Sequence, residues 1–100
     1  MRSSGPDADG ALVLYTSRYC GYSYRVMATV KLLALSESDL AIVDVGKRPE
    51  RRLDIVRGTG RRTVPVLRIE QPERGPEEFY WLFDSGAIVR YLRTRFAHPR

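Results

Sequence analysis

Apolar positions recur along this chain with two periods, one of strand type and one of helical type. Residues 11–16 form a compact apolar run around Val13 and Tyr15, of the length and type of a buried strand. From Gly21 onward the spacing opens. Val26, Val30 and Leu33 recur at helical intervals, Met27 and Ala34 widen the stripe, and the polar residues 36–39 end it. Residues 40–45 predict a second apolar strand. Pro49 suits the first turn of a helix, with Leu53 and Val56 facing the core and Gly58 and Gly60 stopping it. Residues 66–70 and 78–83 predict two more strands, and the Gln71, Pro72, Gly75 and Pro76 between them suit an antiparallel hairpin with a long loop. A last helix, capped by Asp84 or Ser85, lines one face with Ile88, Tyr91 and Leu92 and ends at Phe96.

The order is therefore βαβαββα. The first three elements form a βαβ unit, whose parallel strands need a right-handed crossover, and the later hairpin must add antiparallel strands to the same sheet. The expected fold is α/β: a four-stranded mixed sheet with three helices distributed over both faces. One hundred residues suffice for a single domain. That domain is expected over residues 11–97, after a flexible polar start at 1–10 and before a short tail at 98–100. Ligands in open α/β sheets gather at the carboxyl ends of strands, and Cys20 follows the first strand at that edge.

Composition narrows the setting. With 43% hydrophobic residues the chain is globular, and its lone cysteine rules out an internal disulfide, so a disulfide-held secreted fold is excluded. A soluble protein of the reducing cytoplasm is expected, because the first ten residues lack the apolar centre of a signal peptide and no later run approaches a membrane span. The net charge is +5, densest at 47–62, where Glu50 and Asp54 oppose seven basic residues. Such a stretch attracts anions. It carries no interleaved aromatic platforms, which argues against a nucleic-acid partner and leaves a solvated basic face as the plain alternative. His98, the only histidine, is expected to be solvent-exposed, and no metal-ligand cluster is present in the sequence.

Cys20 heads Cys20-Gly21-Tyr22-Ser23, between the first strand and the first helix. At a helix N-terminus a thiolate meets free backbone N–H groups and the positive end of the helix dipole, which lowers its pKa from about 8.5 to about 3.5–7.5. Cys20 therefore reads as a nucleophile. Ser23 stands where the second cysteine of a C-x-x-C motif would be. Any disulfide of Cys20 must form with another molecule, and the Ser23 hydroxyl is positioned by sequence to donate to the thiolate.

The segment Tyr15-Thr16-Ser17-Arg18-Tyr19-Cys20-Gly21-Tyr22-Ser23, together with Gly58-Thr59-Gly60-Arg61-Arg62-Thr63-Val64-Pro65 and the order of elements, resembles a glutaredoxin of the thioredoxin-fold superfamily, of the monothiol C-x-x-S type. The resemblance covers residues 11–97. It implies a cis Pro65, with Val64 pairing with the cysteinyl backbone of glutathione and Thr63 beside it. Phe83-Asp84-Ser85-Gly86-Ala87-Ile88-Val89-Arg90-Tyr91-Leu92 is similar to glutathione transferase N-terminal domains, which implies that Asp84 and Ser85 bind the γ-glutamyl end of glutathione as well as capping the helix. Tyr22 is implied to pack against the ligand or to shape the turn. For the glycyl carboxylate, Arg18, Arg61 and Arg62 are the cations available by position. The Gly-Gly-Cys/Ser-Asp segment common in glutaredoxins is replaced by Leu82-Phe83-Asp84-Ser85, and the helical second domain of a transferase is absent from the sequence, so conjugation chemistry is not expected.

The resemblance implies a glutathione-dependent thiol-disulfide oxidoreductase using Cys20 by a monothiol route, with glutathionylated or disulfide-containing proteins as partners. Two alternatives stay open. Cys20-Gly21-Tyr22-Ser23 differs by one residue from the Cys-Gly-Phe-Ser of cluster-carrying glutaredoxins, which implies a homodimer holding a [2Fe-2S] cluster through two Cys20 thiolates and two glutathiones. The other is a glutathione-binding or protein-interaction module without turnover.

Overall fold

The computed structural model describes residues 11–18, 20–75 and 78–97; the expectations for residues 1–10, for Pro76 in the hairpin loop and for His98 lie outside the described residues. Strand β1 (Leu12–Thr16) is buried along its whole length and occupies the interior of the sheet. It pairs in parallel with β2 (Ala41–Asp44) and antiparallel with β3 (Val66–Glu70), while β4 (Phe79–Leu82) pairs antiparallel with β3, giving the order β2-β1-β3-β4. Helix α1 (Gly21–Leu32) makes the crossover between β1 and β2, α2 (Arg52–Thr59) follows a 3-10 turn at Pro49–Arg51, and α3 (Ser85–Arg95) closes the chain. The architecture is thioredoxin-like, with the expected βαβαββα order.

Strand periodicity divides the core in two. Leu12 and Leu14 point to one face and join Val26 and Val30 of α1, Leu67, and Ile88 and Leu92 of α3. Val13 and Tyr15 point to the other and join Val43, Val45, Ile55 and Val66 beneath α2. Because both faces are covered, β1 shows no polar alternation, and each fully buried Leu or Val contributes about 1.5–3 kcal/mol. The carboxyl end of β1 is thus anchored from both sides, which fixes where the Cys20 turn leaves the sheet.

Several local expectations need correction. Leu53 is half exposed and Ile55 is the residue of α2 that reaches the core. In so short a helix one turn meets the sheet, and the apolar spacing could not say which. Ala34 lies beyond α1, exposed and at a φ of 55°, because Leu33 already ends the helix. Gly58 does not stop α2. It lies inside the helix, where an added Cβ would come within 2.4 Å of the Trp81 ring; Gly60, at a φ of 78°, makes the left-handed C-cap.

The face under α2 contains a polar network. The Tyr15 hydroxyl donates to Asp54 Oδ2 at 2.9 Å, Arg51 Nε donates to the same oxygen at 2.7 Å, and Arg68 Nη1 donates to the Tyr15 oxygen at 3.3 Å. Burial, reinforced by Asp54 and opposed by Arg68, pushes the Tyr15 phenol up to about 12, so it stays a neutral donor. Removing the shared acceptor takes a hydrogen bond from both the Tyr15 hydroxyl and Arg51 Nε. Asp54→Ala should lower unfolding stability by about 1–3 kcal/mol, read as a lower urea midpoint at unchanged slope.

Candidate functional site

Cys20 is the N-cap of α1, extended at φ −107° and ψ 123°, and no side chain caps this helix. Its N–H donates to the Ser17 carbonyl at 3.1 Å and its carbonyl accepts from the Tyr24 N–H at 3.1 Å, so both sides of the turn are pinned. Burial pushes the thiol pKa up, but the Ser23 N–H, the Ser23 hydroxyl and the Tyr22 N–H outweigh it, and the net shift is downward. Ser23 is 1% exposed, and its Oγ accepts from the Ser17 N–H at 3.2 Å. A hydroxyl that accepts one hydrogen bond keeps its own proton to donate, here toward Cys20.

Across from the thiol, the loop that leads into β3 presents the Val64 carbonyl 3.7 Å from Cys20 Sγ. The Val64–Pro65 peptide bond is cis. A cleft of about 300 Å³ opens here, lined by Tyr22, Thr63, Val64, Pro65, Phe83, Asp84 and Ser85. The sheet order explains the gathering: β1 delivers Cys20, its neighbour β3 starts just after Val64 and Pro65, and β4 ends just before Asp84. Asp84 caps α3, with Oδ2 accepting from the Ala87 N–H at 3.0 Å, and its other oxygen has no hydrogen-bond partner among the described residues. Capping therefore leaves one side of the carboxylate open.

The arginines separate. Arg18 is on the β2 side of the turn, 3.9 Å from Asp44, where it borders a second hollow with Tyr24, Met27 and Ile42 rather than the cleft. The Arg62 side chain is exposed while its backbone carbonyl accepts from Arg52. Arg61 lies over the Phe83 ring at 4.8 Å and so stands on a wall of the cleft. In the sequence Phe83 ends a strand and opens the transferase-like segment without a role of its own; its place directly before Asp84 is the signal for its position at the cleft. Among the described residues no group of three or more His, Cys, Asp or Glu side chains could hold a metal ion, and no helix is long and apolar enough to cross a membrane.

Comparison with known proteins agrees with this geometry. The chain is similar in structure to Leishmania TDR1, a trimeric glutathione transferase, at 29% identity and a TM-score of 0.63, over 87% of this chain and 18% of that one. Apo human glutathione S-transferase T1-1 matches at 19% identity and a TM-score of 0.63, over 88% of this chain and 33% of that one. Glutathione transferase Omega 2S from Trametes versicolor matches at 18% identity and a TM-score of 0.62, over 85% and 36%. The chain thus spans between 18% and 36% of the length of these structures, and the last two matches establish the fold alone. No curated protein matches the chain. The glutaredoxin family model matches residues 12–72, through the Cys20 turn and the Val64–Pro65 loop. With more than half of its length matched on a thioredoxin-like sheet, the chain belongs to the glutaredoxin family.

Proposed function

We propose that this protein is a glutathione-dependent thiol-disulfide oxidoreductase in which Cys20 is the nucleophile and glutathione occupies the cleft. The observation that carries this reading is the facing of a pKa-lowered thiol and the Val64 carbonyl, 3.7 Å apart, at the rim of the cleft. The Cys20 thiolate attacks the glutathione sulfur of a protein mixed disulfide. The new bond is Cys20 Sγ to glutathione sulfur, the broken bond is the original disulfide, and the target leaves as a thiolate. A second glutathione thiolate then attacks the bound glutathione sulfur, releasing glutathione disulfide and regenerating Cys20. Ser23 has no sulfur with which to resolve the intermediate, so the route is monothiol.

In this reading Val64 pairs with the cysteinyl backbone, Thr63 and Pro65 shape the loop, Tyr22 covers the ligand, and Asp84 with Ser85 receives the γ-glutamyl end. Arg61, held over Phe83, supplies the cation for the glycyl carboxylate in preference to Arg18 and Arg62. The test is turnover of a glutathionylated peptide with glutathione as reductant. Sustained release of peptide thiol is expected, and no acceleration over the protein-free rate would contradict the reading.

The role of Ser23 has its own readout. Alkylation of Cys20 by iodoacetamide should follow the thiolate fraction, with a midpoint below the ordinary thiol value of about 8.5. Ser23→Ala removes one donor to the thiolate, so the midpoint should move up and the rate at pH 7 should fall by about 2–10-fold, with most turnover retained. An unchanged midpoint would remove Ser23 from the account.

The cluster-carrier alternative demands more than one chain can give, since the described residues supply a single thiolate and no group of three or more His, Cys, Asp or Glu side chains that could hold a metal ion. It requires a second copy and two external thiolates. An absorption spectrum after anaerobic reconstitution with iron, sulfide and glutathione separates it from the main reading, for a colourless product removes it.

A further inference from the structure

Most of the positive charge of residues 47–62 lies outside the cleft lining. The acids of that stretch do not cancel it. Glu50 lies 3.6 Å from Arg48 and Asp54 lies 2.7 Å from Arg51, so each is taken by an arginine close by. Arg52 and Arg62 have no acidic partner among the described residues. They are nonetheless held together, because Arg52 Nη1 donates to the Arg62 carbonyl and so ties the start of α2 to the loop ahead of Pro65. Arg62 is exposed, and Leu53, the residue after Arg52, is half exposed. Arg18, on the other side of the Cys20 turn, faces Asp44 at 3.9 Å and does not join this surface. Two cations fixed side by side without an acid attract an anion.

This surface adjoins the thiol. Thr63 and Val64 line the cleft, the Val64 carbonyl is 3.7 Å from Cys20 Sγ, and Arg62 comes directly before them. Two residues of extended chain span about 7 Å at most, so Arg62 stands at the border of the cleft. With the glutathione half of a mixed disulfide in the cleft, the target half lies outside it, against this border. We infer that Arg52 and Arg62 dock an acidic segment of the target protein, so that preferred targets carry Asp or Glu within about four residues of the glutathionylated cysteine. The inference rests on the proposed function and adds no chemical step to it. Arg61 stays with the glycyl carboxylate, while the pair reads the residues around the target cysteine. A protein segment fits this surface better than nucleic acid does. Arginine is enriched at protein interfaces, Leu53 offers an aliphatic contact, and residues 47–62 contain none of the aromatic platforms that stack bases. Opposite charge on the target raises the encounter rate, and on a solvent-facing surface that effect fades with salt.

The test uses four glutathione mixed disulfides: those of three peptides of one length, whose cysteine is flanked on both sides by Glu, by Gln or by Lys, and that of 2-mercaptoethanol, which has no flanks. The glutathione half is the same in all of them, so its own carboxylates cancel from the comparison. Flanking acids raise the pKa of the leaving thiol and by themselves slow the exchange, so a preference for the Glu peptide cannot come from the chemistry. In the wild type at low ionic strength, kcat/KM should be about 3–10-fold higher for the Glu peptide than for the Gln peptide and lowest for the Lys peptide. The spread should close to within about twofold at about 0.5 M salt. In Arg52→Gln/Arg62→Gln the new amide at position 52 keeps an N–H donor for the Arg62 carbonyl. The spread should collapse there, while the 2-mercaptoethanol disulfide turns over within about twofold of the wild-type rate. Arg52→Glu/Arg62→Glu should reverse the order and favour the Lys peptide, and the neutral pair carries the test if this variant fails to fold by circular dichroism. A wild type that treats the three peptides alike while turning over the 2-mercaptoethanol disulfide, or a neutral variant that keeps the wild-type preference, overturns the inference and leaves the glutathione reading intact. Peptides treated alike but inhibited together by an oligothymidine strand would give the surface to nucleic acid, which also overturns it. A wild type that turns over none of the four disulfides, although its thiol alkylates normally, removes the glutathione reading and this inference with it.

Discussion

Replacing Cys20 by serine should reduce turnover of a glutathionylated peptide to the uncatalysed rate, with stability within about 0.5 kcal/mol of the wild type. The two halves of that expectation have separate causes. Sulfur is the nucleophile and the atom that becomes disulfide-bonded, and a serine hydroxyl can neither ionise at neutral pH nor form the mixed disulfide. The fold, by contrast, uses Cys20 mainly through its backbone: the N–H binds the Ser17 carbonyl, the carbonyl accepts from Tyr24, and the side chain makes no capping hydrogen bond. The thiol is partly exposed, so the smaller oxygen leaves no closed cavity. Steady-state release of peptide thiol, with urea unfolding of the same preparation, checks both halves. Residual turnover above background in the serine variant would place the nucleophile elsewhere, and the described residues contain no second thiol.

Gly58→Ala should destabilise the protein by about 1–3 kcal/mol, the opposite of what a glycine-to-alanine change inside a helix does by itself. The new methyl would stand 2.4 Å from Trp81 Cζ2, 2.7 Å from Cε2 and 2.9 Å from Nε1. The indole cannot slide away freely. It stacks on Tyr15 at 6.0 Å and meets Phe79 edge-on at 6.2 Å, while Tyr15 is itself fixed through Asp54 and Arg51. Helix α2 must lift or the aromatic group must shift, and either loosens the core under it. The shift in thermal midpoint should be about 4–8 °C per kcal/mol for a domain of this size. Trp81→Leu in the same chain should recover part of the loss, giving a non-additive pair. A stabilised Gly58→Ala protein would mean that the indole yields to the added methyl and that the higher helix propensity of alanine decides the outcome.

The sheet and the Cys20 turn were legible because their signals are local. Strand β1 is a continuous apolar run since both its faces are buried, and a cysteine between such a strand and a helical pattern has little freedom in where it emerges. What escaped the pattern depends on distant partners. Whether Leu53 or Ile55 faces the sheet is decided by how α2 docks, and the meaning of Gly58 depends on Trp81. Asp54 looks like an ordinary helix-surface acid until Tyr15, 39 residues away, is seen to donate to it. The arginines divide for the same reason. Arg18 was a candidate by proximity in sequence to Cys20, yet it turns toward Asp44, whereas Arg61 reaches the cleft wall through Phe83.

The central claim is that the cleft holds the glutathione half of a mixed disulfide, so that Cys20 attacks the glutathione sulfur and not the sulfur of the target. Intact mass after mixing the protein with a glutathionylated peptide, quenched with acid before free glutathione is added, tests this most directly. The expected product is protein carrying one glutathione on Cys20 with the peptide released as a free thiol. A protein–peptide adduct with glutathione released, or no adduct at all, would contradict the claim.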